Sequence, residues 1–76
     1  MKLAEYKIKE YLLENNEDFI EFHKKHQLCE HELEKISSKN DITVEDLQTE
    51  QLLKRKKLKL KDSMQKLILE FEKKED

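Results

Sequence analysis

The residues of this chain that could do chemistry are few: His23, His26 and Glu30, the lone Cys29, the serines Ser37, Ser38 and Ser63, and the cationic run from Lys54 to Lys61. His23, His26 and Glu30 follow at spacings of three and four, so on a helix they project from one face. Two imidazoles and a carboxylate can hold zinc with an open coordination position. Against that, His26 falls in a hydrophobic stripe and His23 on its shoulder, where an imidazole more often meets a carboxylate or a backbone carbonyl, and no tight Cys/His cluster accompanies them. No metal and no cofactor is therefore expected. His31, between Glu30 and Glu32, reads as solvated. Cys29 has no partner for an intrachain disulfide and lies on the apolar stripe, where a thiol behaves as a small hydrophobe.

Nucleophilic and phosphate chemistry fail on composition. Without a single Gly there is no phosphate-cradling loop, and none of the serines has a base positioned beside it by sequence. A helical hairpin is also too thin for a water-excluding pocket, so no enzyme is expected. The run Lys54-Arg55-Lys56-Lys57-Leu58-Lys59-Leu60-Lys61 carries six cations in eight residues. Lys54, Arg55, Lys56, Lys59 and Lys61 are the candidate phosphate contacts of a nucleic-acid footprint. The plainer reading is a solvated helix wall, balanced across the hairpin by Glu14, Glu17, Asp18 and Glu21 in a chain of net charge -2. No aromatic is interleaved to stack bases, so nucleic acid is the disfavoured partner. Lys57 differs from its neighbours in occupying a seam position; its stem is expected to cover apolar surface near Phe22, and a polar seam residue fixes register at some cost in stability. Lys61 and Asp62 are adjacent, cannot meet on one helix face, and read as contacts for another helix.

The elements that position these residues are helical. Ile8, Leu12, Asn15, Phe19, Phe22, His26, Cys29, Leu33 and Ile36 alternate steps of four and three, the seam of a helix packed on another helix. A second seam comprises Leu53, Lys57, Leu60, Met64, Leu67 and Phe71. Between them Ser37-Ser38-Lys39-Asn40-Asp41 is a turn-forming stretch without an apolar residue, followed by a capping-box-like Thr43-Val44-Glu45-Asp46. An earlier interruption at Asn15-Asn16 offers an N-cap with Glu17 and Asp18 on the first turn; it is either a break or a bend in one helix. The expectation is an all-α, coiled-coil-like antiparallel hairpin in one domain over 1–76, with helices at about 3–14, 17–36 and 44–74 and a loop at 37–43. Folding back about residue 40 would set Phe19 and Phe22 near Leu58 to Lys61 and the first segment near Met64 to Phe71. Lys73 to Asp76 are expected to fray.

One stripe is left over. Leu47, Leu58 and Leu69 recur every eleven residues and line up roughly opposite Leu53 and Leu60, while Leu28 is opposite His26. A two-helix hairpin cannot cover both sides of its helices, and a 76-residue chain has a marginal core. These leucines are therefore the expected interface of a homo-oligomer, dimer or tetramer, that assembles a helical bundle; another protein is the second possible partner. Charged residues make up 45% of the chain, but their signs alternate and the apolar residues are phased, which argues against disorder. Charge every few residues leaves no continuous apolar stretch for a signal peptide or a membrane span, and with the unpaired thiol this places the expected home in the cytoplasm. The function expected on these grounds is a non-enzymatic, self-associating helical adaptor; the alternative is a nucleic-acid-associated protein using Lys54 to Lys61.

A resemblance extends this reading. Glu5-Tyr6, Asn16, Phe19, Phe22, Lys25-His26, Glu30-His31-Glu32-Leu33 and above all Lys57-Leu58-Lys59-Leu60-Lys61-Asp62 with Met64 closely resemble the YdcH-like family of short bacterial proteins. The likeness covers Glu5 to Leu69; Cys29 departs from it where the family favours Leu, and Glu17 where a Pro is frequent. It implies a small bacterial α-helical hairpin of unassigned molecular function and supplies no catalytic residue. Lys57, His26 and His31 fall on its motif positions.

Overall fold

Three helices build the chain: α1 (Glu5–Asn15), α2 (Glu17–Ser37) and α3 (Val44–Glu75). The structure, a computed structural model, describes residues 3–75, Glu75 by its backbone alone. Among them there is no strand, and the fold is all-α. The interruption at Asn16 is a break. Its backbone is extended, with φ -116 and ψ 111, its N–H donates to the Leu12 carbonyl, and its side-chain oxygen accepts from the Phe19 N–H at 2.9 Å. One residue thus closes α1 and caps α2. Because the chain turns back here, Asn15 leaves the seam in which its spacing placed it: it is exposed, and its amide donates to the Tyr11 carbonyl.

Ser37, assigned by the sequence reading to the loop, is the last residue of α2. Its hydroxyl and that of Ser38 both donate to the Glu34 carbonyl, at 3.0 and 2.8 Å, beside the Ser38 N–H that donates to the same oxygen. At the start of α3 the capping box is reciprocal. The Asp46 N–H donates to Thr43 Oγ1 and the Thr43 N–H donates to Asp46 Oδ2, both at 3.1 Å. Lys39 adds an ion pair to Asp46 Oδ1 at 2.7 Å, tying the loop to the helix it precedes. At the other end α3 runs through Lys73 and Lys74, close to the expected end at about residue 74; both cations lie in the last turn, where the helix dipole favours them. Asp76 lies outside the described residues.

α2 and α3 pair antiparallel, but about a point between Thr43 and Val44 rather than at residue 40. The ion pair of Glu30 with Lys57 and the common cluster of Phe19 with Ile68 both fix this register. Phe19 therefore shares a cluster with Ile68, against which Met64, Leu67 and Phe71 pack, and does not lie level with Leu58 to Lys61. α1 folds onto this end, where Ile8 and Leu12 join Phe19 and Ile68 in the core and Tyr11 meets Phe71 with ring centroids 5.1 Å apart. Further along the hairpin Cys29, Ile36 and Leu60 are buried. The molecule is a rod of 51 × 19 × 17 Å, three helices thick where α1 lies and two helices thick beyond it.

Candidate interaction surface

The seam residues of the sequence reading, Ile8, Leu12, Phe19, Phe22, His26, Cys29, Leu33, Ile36, Leu53, Lys57, Leu60, Met64, Leu67 and Phe71, are all buried or half-buried. Ile68, only 1% exposed, belongs with them and was missed. Its signal lay in the spacing Met64, Leu67, Ile68, Phe71, a wider stripe than a two-helix seam needs. Such a stripe faces two neighbours at once, here α2 and α1.

Beyond the end of α1 the α2–α3 groove is polar. Glu30 Oε1 stands 3.5 Å from His26 Nδ1 and 3.4 Å from Lys57 Nζ, so one carboxylate draws together a residue of its own helix and the seam lysine of the other. Lys57 lies in the groove beside Leu33 and Glu30, about one heptad away from the Phe22 neighbourhood expected for it. His23 is half-buried on α2 and His31 is exposed. Among the described residues no three His, Cys, Asp or Glu side chains converge in a way that could hold a metal ion.

The cationic run does not make one basic face. At about 100° per residue, Lys57 falls in the groove, Lys54 and Lys61 on the rim between the groove and the Leu58 line, Arg55 and Lys59 on the outer side of α3, and Lys56 on the opposite rim. Lys54 Nζ is 3.1 Å from Glu50 of its own helix, and Lys57 is held by Glu30. The carboxylate that crosses from α2 to the run is thus Glu30, while Glu21, one of the acids expected to do so, pairs with Lys25 on α2 at 3.0 Å. The shift in register accounts for this: Glu14, Glu17, Asp18 and Glu21 lie toward the far end of α3 from the run.

Among the described residues, five of the ten exposed large hydrophobic ones lie on α3, Val44 and Leu52 among them. Leu47, Leu58 and Leu69 are 51%, 62% and 47% exposed, in a line along the helix. Leu58 also borders the groove with Leu33, Lys54, Lys57 and Lys61. Leu28, the α2 leucine of the expected interface, is 63% exposed. It stands on α2 between the ion pairs Lys25–Glu21 and Lys35–Glu32. No described helix is long and apolar enough to cross a membrane. The chain matches no protein-family model, no curated protein and no solved structure.

Proposed function

We propose that this chain is a non-enzymatic helical interaction module that acts by self-association in the bacterial cytoplasm. The observation that carries the reading is the line of exposed Leu47, Leu58 and Leu69 on a 32-residue helix whose other side is committed to the hairpin. Among the described residues the three leucines of this line are each about half exposed or more, and a contiguous apolar line on a small chain supports an interaction face. The likeness of Lys57 to Asp62 to the YdcH-like family supports a bacterial hairpin, and the buried free thiol of Cys29 suits a reducing compartment. The function is the assembled bundle itself and whatever it presents.

Sedimentation equilibrium is the test, run beside titration of a short duplex and a single strand at low and moderate salt. The expected outcome is a dimer or larger at micromolar concentration with weak nucleic-acid binding. A chain that stays monomeric at millimolar concentration overturns the proposal. So does tight binding to nucleic acid with a steep salt slope that vanishes when Lys54, Lys56 and Lys59 are replaced by Gln.

A further inference from the structure

Resting on the self-association reading, we infer that the partner on the leucine stripe is a second copy of this chain whose α3 runs antiparallel to the first, with the two-fold axis beside Leu58. The stripe reads the same from both ends. From Leu58 the next exposed positions on the line are Lys54, Gln51 and Leu47 in one direction and Asp62, Gln65 and Leu69 in the other, at steps of four, three and four each way. An isologous contact requires a patch that matches itself when reversed, and this one does. Leu47 then meets Leu69 of the second copy, Gln51 meets Gln65, whose amides can donate and accept reciprocally, and Leu58 meets its own equivalent. Lys54 meets Asp62, the charged pair of opposite sign, twice over by symmetry.

The alternatives fare worse on charge. A parallel pairing sets Lys54 against Lys54 and Asp62 against Asp62, like charges at the centre of the contact. In the antiparallel pairing Arg55, next to Lys54, gives Asp62 a second cation. Two like-charge approaches remain, from Lys61 of the second copy to Lys54 and to Arg55; Glu50 stands beside the first, 3.1 Å from Lys54 Nζ. The stripe spans about 33 Å at 1.5 Å per residue, and its eleven-residue recurrence drifts by only about 20° per repeat, so two nearly straight helices stay in contact along all of it. Asp62, which has no place in the hairpin seam, acquires one here.

Cysteine cross-linking with a short bis-maleimide separates this geometry from other assemblies. The wild-type chain serves as background because its Cys29 is buried. Leu58→Cys should link to itself, and Gln51→Cys should link to Gln65→Cys in a mixture of the two chains but not to itself, since the two Gln51 positions lie about 21 Å apart along the axis. Asp62→Lys should weaken the dimer roughly tenfold by facing Lys54 and Arg55, and adding Arg55→Asp should restore it. Efficient Gln51→Cys self-linking, or a dimer in sedimentation whose affinity ignores Asp62→Lys, overturns the antiparallel geometry while leaving self-association intact. A wild-type monomer in sedimentation overturns both.

Discussion

Asp46 joins the loop to α3 by three contacts: the Lys39 ammonium, the Thr43 N–H, and its own N–H returned to the Thr43 hydroxyl. The hydrogen bond from Lys39, with that from the Thr43 backbone, holds the Asp46 carboxyl below its ordinary value of 3.8. A carboxyl whose pKa is depressed on folding takes up its proton first in the unfolded state, so its contribution is full above the ordinary carboxylate value and fades as pH falls through it. Urea melts across acid pH should therefore show wild-type stability falling from about pH 4 downward, and Asp46→Asn should start less stable at neutral pH and lose part of that slope. An unchanged slope in Asp46→Asn would remove the carboxylate from the account. This cap was legible in the sequence as Thr43 and Asp46 three residues apart, whereas the Lys39 arm was not, because an ion pair across a loop has no periodicity to announce it. The contact of Glu30 with Lys57 was hidden for a related reason: the seam lysine was visible, but its partner depends on register.

At the level of helices, the sequence located both seams and both interruptions but not the alignment of α2 on α3. A heptad seam looks the same after sliding by seven residues, so Phe19 fits near Lys61 or near Ile68 equally well by pattern. The choice is made by the loop, which the capping box and Lys39 pin against the start of α3, and by α1, which needs a wide apolar surface to rest on. Ile68 supplies that surface. Truncating Ile68 to Ala should cost about 2–5 kcal/mol, the range for a buried aliphatic side chain, and should release α1 together with the end of the hairpin. Leu28→Ala, on the exposed side of α2, should stay within about 0.5 kcal/mol. Chemical denaturation of the two variants checks this, and equal effects would mean that the core is not where Phe19 and Ile68 place it.

For the molecule as a whole, a rod 51 Å long gathers its buried hydrophobic cluster toward the end where α1 lies and is two helices thick beyond it, so a small interior carries the fold. If a second copy covers α3, then assembly is linked to folding and thermal stability must depend on concentration. Raising the wild-type chain a hundredfold in concentration should raise its melting temperature by several degrees. Leu58→Lys with Leu69→Lys puts two charges into the stripe and leaves Leu53, Leu60, Met64 and Leu67 of the hairpin seam unchanged. Burial of each leucine contributes roughly 1.5–3 kcal/mol, and the double variant forfeits it in both copies, so it should melt lower and at a temperature that no longer varies with concentration. Its helical circular dichroism at low temperature should persist, because the caps at Asn16 and Thr43 and the Phe19–Ile68 cluster lie on other surfaces. A wild-type melting temperature that is flat over the same range would mean that the hairpin stands alone, with its leucines in water.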